Sequence, residues 1–485
     1  MKARVLDEPK LDFAHGGSHE DPRSGITDYG PVDLGTLGAP TRIRVGLVGP
    51  AEGISGARAW LERCRMPIEA KANNRHPRLF PRFPGFATDR CFRSELVFDD
   101  TWMRAIPSRQ LDRIILAKPV NLATAECVDL YQREIADLYQ KGIVDLIAVA
   151  RPDDLQDDIP ETTRFAATKV ETSTKVSSAH IDFHDLLKAC TLGWGIPLQV
   201  MRSTTWDPTR QTAKSQARRS SSLQDEATRA WNLHTALYYK AGGVPWRMRR
   251  QPADLNSLYV GVSFFHLTDR AEVHTSVAQV FDERGEGVVV RGGPAARKKS
   301  DRQPHLRRAD ADDLLGTALD TYQREHGHFP ARVVIHKTSD FDDEEVSGFE
   351  AAADQRHIYH LEFLWIVGAS EGTRLFRNGE YPVLRGTFAT IAERRHILYT
   401  RGSVDLYRLY PGMYIPAPLG IRPAVTEQGV EELAEEILAL SKMNWNQSQL
   451  DGRLPITLSA SKKVARILKN LPDDYPASNR YAMYM

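Results

Sequence analysis

The sequence predicts an α/β chain in which a Rossmann-like unit is followed by a ribonuclease H-like unit. Three observations predict it. From residue 42 to residue 240, apolar strand-like runs alternate with amphipathic helices, the pattern of a mostly parallel sheet covered on both faces. Near Arg250 the character changes to an apolar strand, a hairpin, a helix and another strand, with helices at the end. The 485 residues are also too many for one ordinary core.

The elements follow in order. The first 40 residues, rich in Gly, Pro and Asp, read as an extended arm lying on another domain. RIRVGLVG (42–49) is a buried strand and GISGARAWLERC a helix. RIILAK (113–118) reads as a strand, 124–141 as an amphipathic helix and VDLIAVAR (144–151) as a strand. Asp182–Cys190 is a helix, PLQVMRST a strand, 204–222 a polar basic loop and Gln224–Lys240 a long helix.

After a boundary at about 245–250, SLYVGVSFFHLTD (257–269) is a strand. VHTSVAQVFD and GVVVRGG form a hairpin around ERGEG. A helix follows, with Asp310 as N-cap and Gly327 as its stop. ARVVIHKT (331–338) and HIYHLEFLWIVG are strands; GVEELAEEILALSKMNW and ITLSASKKVARILKNL are helices. Strand, hairpin, helix, strand and C-terminal helices is a ribonuclease H-like order.

Composition is that of an ordinary globular chain, 41% hydrophobic and 26% charged. No apolar run approaches the roughly 20 residues of a membrane helix, and MKARVLDEPKLDF has no signal-peptide core. Four scattered cysteines argue against a zinc site or a disulfide framework and fit a reducing cytoplasm. A net charge of +1 gives no global nucleic-acid signature. Positive charge is concentrated in KSQARR (214–219) and ARKKSDRQPHLRR (296–308), either as binding patches or as solvated loops. Gly46, Gly49, Gly53 and Gly56 cluster at the first strand–helix turn without the spacing of a dinucleotide fingerprint or a P-loop. They leave a plain nucleotide-binding α/β enzyme as one alternative.

Four residues carry the strongest chemical signal. His184 and Lys188 are four apart, hence on one helix face. Gln199 follows on the next strand, and Lys240 ends its helix before Ala-Gly-Gly. A phosphate dianion needs charges and N–H donors from several directions, which lysine and glutamine supply. A ring at the His184 position can stack on a terminal base.

Several of these segments resemble a known family. NLHTALYYKAGGVPW (232–246) resembles the MID-domain signature of Argonaute proteins. LYTRGSVDLYRLYPGMYIPAPL, LSKMNWNQSQLDGRLPITLSASKKVARIL and the terminal RYAMYM resemble the PIWI domain of short prokaryotic Argonautes, and DFAHGGSHEDPRSGITDYGP their N-terminal arm. The resemblance covers essentially the whole chain. It implies an arm over 1–40, a MID domain over 41–248 and a PIWI domain over 249–485.

It also implies that His184, Lys188, Gln199 and Lys240 hold the 5′-phosphate of a guide strand, with histidine where tyrosine is common. It implies Mg²⁺ between guide phosphates, Gln199 and the C-terminal carboxylate of Met485. Cleaving PIWI domains carry aspartates in patterns like G-h-D and VVIHRD; here those positions are Ser263 and Thr338. Neutral hydroxyls do not hold a metal pair tightly. Asp340, Asp342 and Asp343 could stand in as rearranged carboxylates in a second, guided-nuclease alternative, but they follow the turn and DDEE reads as a helix N-terminus, which count against it.

Backbone contacts are expected from Lys214, Arg218 and Arg219, and from Arg247, Arg249 and Arg250. KMNWNQSQLDG around Trp445 is either a guide-facing or a structural loop. The resemblance points to an RNA guide, complementary DNA as target and no slicing. It also implies a heterodimeric partner, with higher oligomers on activation. That partner carries an APAZ region fused to a SIR2-type or TIR-type NAD-degrading enzyme or to a nuclease. Target binding would then switch on the effector and stop growth before a plasmid or phage spreads.

Overall fold

The computed structural model describes residues 2–153, 155, 181–210, 223–250, 254–266, 273–281, 287–297, 303–368, 372–412, 414–472, 475 and 478–485. The arm contributes three short strands, β1 (Lys2–Val5), β2 (Leu11–Asp12) and β3 (Ser18–His19), and a helix, α1 (Pro22–Tyr29). Asp21 caps α1, accepting from the Arg23 and Ser24 amides, and Pro22 sits at its first turn, where a missing N–H costs nothing. The arm does lie on other parts of the chain. β1 is the outermost strand of a nine-stranded sheet, and Glu8 accepts from Arg385 Nε at 2.9 Å and pairs with Lys442 at 2.6 Å.

The first sheet is parallel. β4 (Arg42–Pro50) pairs with β5 (Glu95–Val97), β6 (Met103–Ile106) and β7 (Leu146–Ala150), and β7 with β8 (Leu198–Met201). Helices α2 (Ala51–Arg63), α3 (Ser108–Ala117), α4 (Val120–Lys141), α5 (Phe183–Thr191) and α6 (Glu226–Lys240) accompany it. The 113–118 segment, expected as a strand, is helical. Its four-residue apolar run is the end of a 3.6-period pattern in which Leu111 and Ile114 are buried and Leu116 is exposed. The glycine cluster is explained by close packing. A Cβ on Gly49, at φ 152°, would lie 2.5 Å from the Ala150 carbonyl oxygen, and one on Gly53 2.9 Å from the Ala150 methyl. Helix and strand meet there with no room for a phosphate cradle.

A short strand, β9 (Arg247–Met248), returns to pair with β2. The large sheet then forms from β10 (Ser257–His266), β11 (Val273–Phe281) and β12 (Gly287–Val290). A separate hairpin joins β13 (Ala296–Arg297) to β14 (Pro304–His305). Helix α7 (Arg308–His326) precedes β15 (Arg332–Lys337), α8 (Asp343–Asp354) and β16 (His360–Val367). β17 (Thr387–Ala392), β18 (Arg395–Leu398) and β19 (Leu419–Val425) complete the sheet, in the order β1-β17-β18-β19-β16-β15-β10-β11-β12. Helices α9 (Val430–Leu440) and α10 (Ile456–Leu468) follow.

Asp310 is not the cap of α7. The helix starts two residues earlier, after Arg307, whose Nε donates to Asp310 at 2.7 Å; Gly327 does end it, at φ 78°. α8 opens on a full capping box, Asp342 with Glu345. One core runs through both sheets, from Val45 and Leu47 through Trp231 and Leu237 to Leu438, Val464 and Met485. Among the described residues no helix is long and apolar enough to cross a membrane.

Candidate nucleic-acid interface

The pocket is assembled by three elements of the first unit and one of the second. Asp182 caps α5, accepting from the Asp185 amide at 3.1 Å, and buried Phe183 and Leu187 fix the helix against the sheet. That places His184 and Lys188 on one face. β8, in register with β7, presents Gln199, and α6 ends on Lys240. Lys240 Nζ donates to the Leu198 carbonyl at 3.0 Å and to Gln199 Oε1 at 2.6 Å. Lys188 is 1% exposed, yet its Nζ has no hydrogen-bond partner among the described residues.

A third cation comes from α10. Desolvation, and then the charge of Lys463, push Lys188 down to about 7. Desolvation, Lys188 and Lys463 push Lys240 well below the usual lysine range. Among the described residues the acid acting on Lys188 is Asp185, which is already engaged by Arg466 at 3.0 Å and by His184 Nδ1 at 2.9 Å. Buried charge without a counter-charge is costly. Lys188, Lys240 and Lys463 therefore repel one another at one seam between the two units. The His184 ring stays 38% exposed; desolvation and Lys188 favour its neutral form, with Asp185 opposing.

The C-terminus lies on the same ground. The turn Tyr481–Met483 packs on α6, and Tyr484 and Met485 are buried. Tyr239, beside Lys240, faces Trp445 at 4.7 Å and Tyr481 at 6.5 Å, so Trp445 is a core residue rather than a guide-facing one. Gln199 and Met485 offer hard oxygen donors of the kind Mg²⁺ takes. The Gln199 oxygen, however, already accepts from Lys240. Asp182, His184 and Asp185 also lie close enough to hold a metal, but capping, Arg466 and the His184–Asp185 bond already occupy them.

Thr338 follows the end of β15, and Ser263 lies within the adjacent parallel strand β10, just past its last pair with β15. Val262 is in register with Lys337, and the Thr338 amide donates to the Val262 carbonyl at 3.2 Å. The nearby carboxylates are committed elsewhere. Asp340 Oδ1 accepts from the Phe341 amide at 2.9 Å, and Asp342 caps α8. Asp343 is exposed in that helix's first turn. Glu345, fully buried, takes Lys337 Nζ at 2.5 Å, the Leu306 amide at 2.7 Å and His305 Nδ1 at 3.0 Å. His305, Asp342 and Glu345 are near enough for a metal, but the Lys337 ammonium already serves Glu345.

Lys214, Arg218 and Arg219 lie outside the described residues. Arg247 faces Asp12 of the arm at 3.9 Å, Arg249 donates to Ser18 Oγ at 3.1 Å, and Arg250 to the Asp254 carbonyl at 2.7 Å. The sequence reading missed Lys463; its spacing of three from Arg466 in SASKKVARIL was the available signal. It also missed a basic cluster on the loops around β18. Desolvation, then the charges of Arg401 and Arg374, lower the pKa of Arg453, and Arg401 also faces Asp451 at 4.0 Å. The three arginines are 79 residues apart in sequence, from 374 to 453, and no local pattern joins them.

No family model matches the chain. Curated Argonautes do. One from Aquifex aeolicus (strain VF5) is 23% identical over 239 residues, 49% of this chain and 31% of the relative. One from Cereibacter sphaeroides (strain ATCC 17025 / ATH 2.4.3) is 20% identical over 264 residues, 50% of this chain and 33% of the relative. The matched stretch thus spans about a third of those relatives' length. Among solved structures, Clostridium butyricum Argonaute bound to a guide DNA and a 19-mer target DNA matches with TM-score 0.65 and 14% identity, over 99% of this chain and 54% of that one. Drosophila Piwi matches with TM-score 0.61 and 14% identity, over 100% and 56%. Aquifex aeolicus Argonaute with externally bound siRNA matches with TM-score 0.59 and 15% identity, over 99% and 56%. The fold of this chain is Argonaute-like.

Proposed function

We propose that this Argonaute-like chain holds the 5′-phosphate of a guide strand, RNA by the resemblance, and presents the guide for pairing with single-stranded DNA. The observation that carries the reading is the buried pair Lys188 and Lys240 beside Lys463 of α10, with the Lys188 Nζ meeting no hydrogen-bond partner among the described residues. Arg374, Arg401 and Arg453, whose charges act on one another, would supply charge for the phosphodiester backbone, which gives affinity without sequence choice. Sequence is then read by base pairing. In the same reading Ser263 and Thr338 stand where metal-binding aspartates would be needed, and Asp342 and Glu345 are tied into a helix cap and a buried ion pair, so the chain binds without cutting.

Mg²⁺ fits this pocket only together with the guide. Gln199 and the Met485 carboxylate are two donors for an ion that takes about six oxygens, so guide phosphates and water would complete the shell and the ion would offset phosphate charge. An effector activity would reside in a separate APAZ-bearing partner of SIR2, TIR or nuclease type, activated when target DNA pairs, with growth arrest as the defence against plasmid or phage.

The pocket's protonation tests the reading. Binding a dianion pulls the Lys188 pKa back up from about 7, so guide binding takes up a proton. Affinity for a 5′-phosphorylated RNA should fall as pH rises from 7 to 9, by up to about tenfold per unit for one linked proton. The same RNA with a 5′-hydroxyl should show a flat profile. Fluorescence anisotropy on both reads this directly; parallel profiles would remove the phosphate from the pocket.

A further inference from the structure

Two aromatic rings stand out to solvent on the loops around β17 and β18. Phe376 is 72% exposed and Tyr414 69%, with Ile415 beside it at 68%. Each is held out by a fixed neighbour. Leu375 packs on the small core of Val383, Ala389, Ile397 and Tyr399, and its amide donates to the Tyr399 hydroxyl at 2.7 Å. The chain is therefore pinned one residue before Phe376. The Tyr410 hydroxyl donates to the Tyr414 carbonyl, and the Tyr410 ring leaves no room for a side chain at Gly412.

Hydrogen bonds tie these loops into one surface, with the run 399–404 as its hub. Thr400 Oγ1 donates to the Arg453 carbonyl at 2.6 Å, and Arg401 Nε to the Asp451 carbonyl at 3.0 Å. Ser403 Oγ donates to the Pro382 carbonyl at 2.6 Å, and Arg377 Nε to the Tyr381 carbonyl beside it at 3.2 Å. The Val404 amide donates to the Leu409 carbonyl at 2.9 Å, next to Tyr410. The two rings thus share a loop cluster with Arg374, Arg377, Arg401, Arg408 and Arg453, none of them buried. The acids of the same described segments are Glu380, Asp405 and Asp451, and a sixth arginine, Arg385, is spent on Glu8.

Arginines and exposed rings in one cluster are the composition of a single-strand site. Guanidinium groups take phosphates, and a ring takes the face of an unpaired base, which a duplex keeps stacked on its neighbours. An acidic polypeptide would use the arginines and leave the rings idle. We infer that the loops around β17 and β18 bind single-stranded nucleic acid, with Phe376 and Tyr414 stacking on unpaired bases and Arg374, Arg401 and Arg453 taking phosphates. Every base has a π-face, so the site holds a strand without choosing its sequence. The inference deepens the proposed function and rests on it for the identity of the strand, which is DNA not yet paired with the guide.

The test is fluorescence anisotropy on the full chain with a labelled DNA oligonucleotide of mixed sequence carrying a 5′-hydroxyl, first single-stranded and then annealed to its complement. The single strand should bind at least about tenfold tighter than the duplex. Phe376→Ala with Tyr414→Ala should weaken single-strand binding by roughly 10- to 100-fold and leave duplex binding unchanged. Phe376→Trp with Tyr414→Trp should retain it. Both side chains are exposed, so neither pair of changes disturbs the core. Equal binding of single strand and duplex overturns the inference. So does single-strand affinity indifferent to the loss of both rings, the result expected if the arginines serve only a backbone or an acidic polypeptide. The ratio of affinities for 5′-phosphorylated and 5′-hydroxyl RNA, measured on the same variants, keeps the two readings apart. A ratio of one with ring-dependent DNA binding sinks the guide reading and leaves the single-strand site standing; a large ratio with ring-independent DNA binding does the reverse.

Discussion

Replacing Lys188 and Lys240 together by alanine is expected to weaken binding of a 5′-phosphorylated guide by roughly 100- to 1,000-fold, while the 5′-hydroxyl guide loses little. Each hydrogen bond to a charged group contributes on the order of 1.5–3 kcal/mol, and tenfold in affinity is about 1.4 kcal/mol. Two such contacts give about 3–6 kcal/mol, or roughly two to four decades, and the lower part applies because Lys240 gives up its bonds to Leu198 and Gln199 to take the phosphate. The structure adds a second expectation of opposite sign. Lys188 Nζ is buried without a partner, and Lys240 sits in its field. Lys240 also donates to the Leu198 carbonyl and Gln199, so the relief of repulsion shows cleanly only in Lys188→Met, which should melt no lower than the unaltered chain without guide. Lower stability together with equal losses on both guides would mean that the lysines hold the fold and not a phosphate.

The second large effect is on stability. Lys337→Ala should destabilise the chain by about 3–5 kcal/mol, the range for breaking a buried pair from one side. Lys337 and Glu345 are both fully buried, 2.5 Å apart, and Lys337 also donates to the Asp340 carbonyl at 2.6 Å. Without the ammonium, Glu345 faces His305 and two backbone amides as an uncompensated carboxylate. The double variant Lys337→Met with Glu345→Leu should recover a good part of the loss, because it removes both charges at once. Urea unfolding of the three variants measures the coupling; equal losses in single and double variants would show that packing, not charge, sets the cost.

The fold was legible where local signals are strong. The strand at 42–49, the helix before Gly142, the pair of strands around ERGEG and the buried strand VVIHK all carry their periodicity and their stops in the sequence. It was least legible where tertiary contacts decide. The Arg113–Ala117 run is helical because Ile114 packs into the core, β18 and β19 pair across the 20 residues 399–418, and β17 joins β18 through Glu393-Arg394, which carries no Gly, Asn or Asp hairpin cue. Glycines 49 and 53 looked like a cofactor turn, and only the distance to Ala150 shows them as packing residues.

The same division runs through the site. His184 and Lys188 were visible as helix neighbours, and Lys240 as the end of its helix. Lys463 and the Arg374–Arg401–Arg453 group were not, because their significance depends on which element α10 and the β18 loops face. Nor could the sequence show that Arg247 and Arg249 reach toward the arm, at Asp12 and Ser18.

The most direct test of the central claim is to purify the full chain with its neighbour-encoded partner and determine the sequence, length and end chemistry of the nucleic acid that comes with it. The account predicts short RNAs of narrow length carrying 5′-phosphates, lost when Lys188 and Lys240 are replaced. A chain that purifies without oligonucleotide, or that carries RNAs of random length with 5′-hydroxyl ends, would contradict it.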